Sequence, residues 1–356
     1  MRIAFDVSPL SHDLSGIGRY LRGSLAGLAE AAGREHEIVP FAPTSPQGLK
    51  AIPAALNGIP VEPRLCFLPF AHVWRQAWSR GGWPPAERFL GPFEVLHYSD
   101  WMYPPQRGGV RATTVHDLVP LRFPQWVHTR TRRMHTAKYR DLRSCDVVFA
   151  NSAFTARDVS ELADVPAARV RVAYPGVDAS FRPEGERADL GAPYVLSVAT
   201  LEPRKNLDVL VSAFRLLGRD DVKLAVVGAA GWGEQPSLDH PGIVRLGYVS
   251  DEELSSLYRG AAVFVYPSRF EGFGIPIVEA MASGVPVVAS SHGSMDEASG
   301  DAAFRADPDS PEAFADAVSR ALDDPGGAVE RGLGHAARFT WLETGRAFLE
   351  GYLAAA

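Results

Sequence analysis

The stretch Arg269-Phe-Glu-Gly-Phe-Gly-Ile-Pro-Ile-Val-Glu-Ala-Met-Ala-Ser-Gly-Val-Pro-Val-Val-Ala-Ser290 says most about this chain. The apolar run before it, Val263 to Tyr266, reads as a buried strand. Gly272 and Gly274 flank Phe273 in a loop, and Pro276 suits the first turn of a helix, where its missing N–H costs nothing. Ile277 to Ala282 reads as that helix, Gly284 ends it, and Val285 to Ala289 reads as a second buried strand. A glycine loop feeding a helix N-terminus suits an anion, because backbone N–H groups and the helix dipole point there. Glu271 and Glu279 flank the loop and cannot serve a phosphate, but they suit sugar hydroxyls. Together they point to a nucleotide-sugar site.

Working outward, strands alternate with helices on both sides. In the first half, Ile3 to Val7, Glu37 to Ala42, Val95 to Tyr98, Thr113 to Val115, Val147 to Ala150 and Val170 to Ala173 read as strands. Ser15-Gly16-Ile17-Gly18 reads as a loop before an amphipathic helix from Arg19 to Ala32. Leu21 stands where the dinucleotide fingerprint expects its third glycine, which weakens a dehydrogenase reading. His116-Asp117 follows a strand end, where ligands of α/β proteins bind. Asn151-Ser152 caps a helix. Residues 43–63 read as loop with a short helix, and 179–192 as an interdomain linker. In the second half Tyr194 to Ala199, Lys223 to Val227 and Val244 to Leu246 read as strands, and Leu207 to Leu217, Asp251 to Arg259, Ser310 or Pro311 to Leu322 and Trp341 to Ala354 as helices. Two parallel sheets wrapped by helices follow, with the site expected in the cleft between them.

Composition supports a soluble protein of two domains: 356 residues, 46% hydrophobic and 22% charged. Cys66 and Cys145 form no disulfide or zinc pattern and are expected to be buried thiols. No signal peptide or membrane-spanning run is read, so a cytoplasmic location is expected. The net charge of −6 divides into +6 over residues 1–182 and −12 over 183–356. Residues 122–143 carry Arg122, Arg130, Arg132, Arg133, Lys138, Arg140 and Arg143, which suit a solvated helix face or an anionic partner. An aromatic segment, Phe67 to Phe93 with Phe70, Trp74, Trp78 and Trp83, is expected to pack into the core; contact with a membrane or acceptor is the competing reading.

The ordered motifs resemble the retaining glycosyltransferases of family 4, over nearly the whole chain. Glu271-Gly272-Phe273-Gly274 with Glu279 resembles the family's Glu-seven-residues-Glu signature, Arg204-Lys205 its basic pair, and Gly16-Ile17-Gly18 its glycine loop. His116-Asp117, Asn151-Ser152 and Gly176-Val177-Asp178 match further family positions. The resemblance implies a GT-B fold: two Rossmann-like domains, residues 1–182 with a crossover helix 341–356, and residues 183–340. It implies that Arg204, Lys205 and the backbone of Gly272, Phe273, Gly274 and Ile275 hold the donor diphosphate, with Gly16 and Gly18 closing over it. Glu279 would hold the ribose, Glu271 the transferred sugar, and His116 would sit beside the reacting carbon.

No cofactor or metal is expected, since the cation pair serves the diphosphate. Asp307-Pro308-Asp309 has Asp-x-Asp spacing, but it precedes a helix and reads as a cap at Asp309 or Ser310. Ser294-Met295-Asp296-Glu297 departs from the Leu-Pro-Glu run of similar proteins and leaves that loop's conformation open. Gly16 to Tyr20 and His116 to Leu118 resemble mannosyl- and rhamnosyltransferases of bacterial surface polysaccharides, which implies GDP-mannose as donor and a glycan or lipid-linked acceptor. No nucleic-acid partner is expected; peripheral contact with the inner face of the membrane is the competing reading for the aromatic and basic segments. The alternatives are a nucleotide-sugar isomerase or phosphorylase on the same fold, and a non-catalytic binding protein.

Overall fold

A computed structural model describes residues 1–12, 16–99, 102–127, 129–229, 231 and 237–356. Ser15 and the side chain of Arg130 lie outside that description. The chain forms two compact units, Met1–Gly176 with Thr340–Ala356, and Val177–Phe339.

The first unit is built on seven parallel strands: β1 (Arg2–Asp6), β2 (Glu37–Thr44), β3 (Arg64–Phe67), β4 (Val95–Tyr98), β5 (Val110–Val115), β6 (Val147–Ala150) and β7 (Val170–Val172). Their order is β3-β2-β1-β4-β5-β6-β7. Successive residues of β1 enter different cores. Ile3 and Phe5 join one apolar cluster, and Ala4 joins the other. Side chains alternate across a strand, so a run apolar at every position is what a sheet covered on both faces requires. The last helix, Trp341–Ala355, packs on Gly16–Ala32 in this unit. Its Phe348 and Tyr352 enter the same cluster as Ile3 and Phe5.

The second unit holds six parallel strands: β8 (Tyr194–Val198), β9 (Lys223–Val227), β10 (Ile243–Gly247), β11 (Val263–Tyr266), β12 (Val287–Ser290) and β13 (Ala303–Ala306). The order is β10-β9-β8-β11-β12-β13. Chain order therefore reverses between the neighbours β8 and β11, and loops leaving such a switch point diverge and open a crevice at the strands' carboxyl ends.

Several expectations are corrected. The helix expected from Arg19 begins at Gly16, so Gly16 and Gly18 form its first turn and not a loop. The helix of the opening stretch runs Ile275–Ala282, with Gly274 as N-cap at φ 110°, a backbone that favours glycine. Residues 179–192 are no loose tether. Phe181 is buried in the second unit's core, and Arg259 donates to the carbonyls of Ser180 at 3.1 Å and Glu186 at 2.6 Å. β3 and the helix Ala328–Ala336 were not foreseen. Cys145 is buried, and Cys66 only half-buried.

The aromatic segment does not pack inward as a whole. Helix Ala71–Gly81 turns Ala71 and Arg75 inward, with Arg75 Nε donating to Pro43 O at 2.8 Å. Trp78 packs on Phe41 and Phe89. That leaves Phe70 (74% exposed), Trp74 (54%) and Trp83 (77%) facing outward.

Candidate active site

Two loops meet at the β8–β11 switch point. The loop after β8 runs through a short turn at Pro203–Lys205 into helix Leu207–Leu217. The loop after β11 runs through Glu271 to helix Ile275–Ala282. The backbone ties them together: Arg269 N donates to Arg204 O at 2.8 Å, and Arg204 Nη1 to Phe270 O at 3.2 Å.

Three expected site residues come together here. Lys205 Nζ lies 2.6 Å from Glu271 Oε1, and Arg204 Nη1 lies 2.9 Å from Glu271 Oε2. Arg204 Nε also pairs with Glu202 Oε1 at 2.6 Å, and Lys205 Nζ donates to the Tyr266 hydroxyl at 3.0 Å. Burial raises the Glu271 carboxyl, but Arg204 and Lys205 outweigh it and hold it at about 2. Burial and the neighbouring Arg204 lower the Lys205 ammonium, against the pull of Glu271.

Glu279 lies one turn into helix Ile275–Ala282 and is buried, with Oε2 accepting from the Tyr258 hydroxyl at 3.1 Å. Gly272, Phe273, Gly274 and Ile275 form the approach to that helix. Phe273 itself is a core residue against Phe339, 5.2 Å between ring centroids, so only its backbone could face a ligand. Residues 293–299, whose conformation the sequence left open, form a helix. Ser294 Oγ donates to Glu271 O at 2.6 Å, which fixes the backbone of the paired carboxylate. Asp309 pairs with Arg269, and Ser310 caps helix Pro311–Asp323.

Sequence reasoning assigned no role to Glu202, Tyr258, Tyr266 or Ser294. Glu202 carried a signal, as an acid two residues before the basic pair. The tyrosines at positions 258 and 266 look like ordinary core residues until the fold sets their hydroxyls beside charged groups.

In the first unit, His116 follows β5 directly and is half-buried. Burial lowers its imidazole to about 4 against a smaller opposing effect of Asp117. Asp117 Oδ1 accepts from Val119 N at 3.0 Å and so opens the turn Val119–Arg122. Asn151 follows β6, whose Ala150 is in register with Val115 of β5, so His116 and Asn151 leave adjacent strands at one level. Asn151 is 7% exposed, and its Oδ1 has no hydrogen-bond partner among the described residues. A Cβ on Gly16 would meet nothing within 4 Å, so the packing seen does not itself demand glycine there.

Residues 14–181 match the family described as Glycosyltransferase Family 4, and 192–324 match Glycosyl transferases group 1. The chain is 30% identical to O-antigen chain mannosyltransferase B of Escherichia coli, over 96% of both chains. It belongs to the family 4 glycosyltransferases. The serotype-specific mannosyltransferase WbdA of Escherichia coli is 27% identical over 67% of this chain, which spans only 32% of that longer protein. Among solved structures, the sucrose-phosphate synthase of Thermosynechococcus elongatus superposes with a TM-score of 0.72 at 19% identity, covering 100% of both chains. WaaG, a glycosyltransferase involved in lipopolysaccharide biosynthesis, gives 0.67 at 15% identity over 98% of this chain and 99% of its own. The fold is therefore GT-B, and this glycosyltransferase resembles mannosyltransferases of polysaccharide biosynthesis. No described helix is long and apolar enough to cross a membrane.

Proposed function

We propose that this glycosyltransferase moves a mannosyl group from GDP-mannose to a hydroxyl of a glycan or lipid-linked acceptor, with retention and without a divalent metal. The observation that carries the reading is the Arg204–Lys205–Glu271 cluster beside the N-terminus of helix Ile275–Ala282. As the glycosidic bond breaks, negative charge grows on the leaving diphosphate. Fixed cations and the positive end of a helix then stabilise the transition state more than the ground state. Glu279 takes the ribose hydroxyls. Glu271 keeps lone pairs for sugar hydroxyls while its oxygens hold the cations, since a carboxylate offers about four acceptor sites. Gly16 and Gly18, in the first turn of helix Gly16–Ala32, are assigned to the donor by the sequence resemblance. His116 serves beside the transferred sugar. Its lowered pKa supports this, because a neutral imidazole adds no positive charge next to an oxocarbenium-like centre. The mannosyl choice rests on the 30% identity to the O-antigen mannosyltransferase.

The outer surface of the first unit supports a lipid-linked acceptor and a place on the inner face of the membrane. Leu96 and Tyr98, two apart on β4, share a sheet face and enter the clusters that hold Trp78 and Tyr139. Helices Ala71–Gly81 and Thr129–Asp141 therefore cover the same face. The first exposes Phe70, Val73 and Trp74, and the second exposes Arg132, Arg133 and Arg140. Apolar rings with nearby cations suit an anionic lipid interface.

The test is GDP release from GDP-mannose with a mannose-ended, polyprenyl-diphosphate-linked glycan. The anomeric configuration of the product is read by NMR, and EDTA is included in a parallel reaction. Transfer with retention and undiminished by EDTA is expected. Inversion, loss of turnover in EDTA, or a thermal shift with UDP, dTDP or ADP but not GDP would each remove the corresponding part of the proposal.

A further inference from the structure

We infer that Tyr20 is a positioning residue for His116, and that Trp341 of the last helix holds Tyr20 in place. This rests on the reading of His116 given above. All three residues belong to the first unit.

Tyr20 lies one turn into helix Gly16–Ala32 and is buried. Its ring meets His116 edge-on, with centroids 4.8 Å apart and planes at 83°. Its hydroxyl donates to Ala173 O, just beyond β7, at 2.9 Å. Trp341 makes a second edge contact with the Tyr20 ring, at 5.9 Å and 80°. The phenol is therefore fixed at its tip by a carbonyl and bounded by two aromatic rings.

The seat of Trp341 is built for this approach. A Cβ on Gly23 would fall 2.1 Å from the Trp341 ring, one on Gly27 1.7 Å from its carbonyl oxygen, and one on Gly176 2.2 Å from its amide nitrogen. Positions 20, 23 and 27 lie on one face of the same helix. With side chains absent at 23 and 27, the last helix comes close enough for Trp341 to reach Tyr20. Thr344 Oγ1, donating to Tyr174 O at 2.6 Å, fixes that helix one turn further on.

An imidazole at the end of a strand has torsional freedom about its Cβ–Cγ bond. Edge packing favours one ring orientation, and with it the direction in which the ring nitrogens point. Small displacements of a reacting group are costly in rate. The last helix thus acts on the site through Trp341, by way of Tyr20 on helix Gly16–Ala32, and neither side chain touches substrate in this reading.

The experiment uses the full chain with 13C-labelled histidine. The His116 ring signals are assigned with His116→Gln, and GDP release from GDP-mannose is measured alongside. Tyr20→Leu and Tyr20→Met remove the ring, Tyr20→Phe keeps it, and Trp341→Leu removes the support behind it. We expect both ring-removing variants to move the His116 signals and their titration midpoint. We expect kcat to fall about 100-fold with little change in KM. Tyr20→Phe should keep the His116 signals and most of the turnover, and Trp341→Leu should fall between. Either ring-removing variant suffices if the other does not fold. Unmoved His116 signals, or undiminished kcat, in a folded Tyr20→Leu or Tyr20→Met overturn the inference. So does equal loss in Tyr20→Phe, since the ring contact would then not be the cause. If His116→Gln itself keeps full turnover, the reading of His116 fails. If His116→Gln is inactive while Tyr20→Leu is active, only the positioning role fails.

Discussion

Replacing Lys205 by methionine keeps the length of the side chain and removes its charge. Lys205 Nζ stands 2.6 Å from Glu271 Oε1, buried, and Glu271 is held at about 2 against its ordinary 4.5. At about 1.4 kcal/mol for each pH unit, that depression amounts to about 3 kcal/mol of stability. A depressed carboxylate contributes this above pH 4.5 and loses it as the pH falls towards 2. Lys205 works against the sum, because burial and Arg204 disfavour its charged form, so the pair contributes less than the carboxylate alone suggests. We therefore expect Lys205→Met to lower unfolding free energy at pH 7 by about 1.5–3 kcal/mol, the range for a hydrogen bond to a charged group. The acid-induced loss of stability should also become smaller, since Arg204 alone then faces Glu271. Turnover should fall much further, by about 100- to 1,000-fold, the usual loss for one preorganised donor to developing negative charge. Urea unfolding from pH 7 to pH 3 and GDP release at saturating GDP-mannose measure the two effects. A variant that loses stability yet keeps turnover would show that Lys205 only neutralises Glu271, and the transition-state role would be wrong.

Glu279→Gln should weaken GDP binding about 10- to 100-fold by calorimetry, as expected for losing charged hydrogen bonds to the ribose; unchanged affinity would remove Glu279 from the donor site. Burial lowers His116 from 6.5 to about 4 and His97 from 6.5 to about 3. The unfolded chain then takes up protons first, so stability should fall as the pH drops from 6.5 towards 4. His116→Gln should flatten that fall in urea midpoints, and an unaltered slope would refute the assignment. Phe70→Asp with Trp74→Asp should abolish flotation with phosphatidylglycerol vesicles at low salt while changing stability by no more than about 0.5 kcal/mol per exposed site. Undiminished flotation would place any membrane contact elsewhere.

Much of the architecture was legible because both sheets are covered on both faces. Val263 to Tyr266 and Val147 to Ala150 are apolar at every position and read as strands directly. Ser250 reads as the cap of helix Asp251–Gly260, and the structure adds Glu253 to it as a capping box. β3 was missed because it is an edge strand with a half-exposed pattern, and Ala328–Ala336 because Gly332 and Gly334 depress its helix signal. The glycines at 16 and 18 read as loop, but a helix start tolerates them. Trp74 and Trp78 suggested one face, yet Arg75 takes the inward place and only Trp78 reaches the core. Within the site, the residue types were legible and their pairing was not. Lys205 and Glu271 are 66 residues apart, and they meet because β8 neighbours β11, a strand order that hydrophobic pattern does not encode.

That strand order also bears on how the site can stay intact without a ligand. Arg204 and Lys205 sit side by side, and burying two such cations without counter-charges would cost several kcal/mol for each. Glu202 and Glu271 supply the counter-charges, so the four groups sum to zero. The cations are held in place before any diphosphate arrives, and little reorganisation is left for the moment of reaction. On the proposed reading, a diphosphate enters as a second anion competing for cations that already have one. Donor binding on that reading is an exchange of partners at Arg204 and Lys205. Ser294 bears on this directly. By donating to the backbone carbonyl of Glu271, it limits movement of the chain that carries the carboxylate.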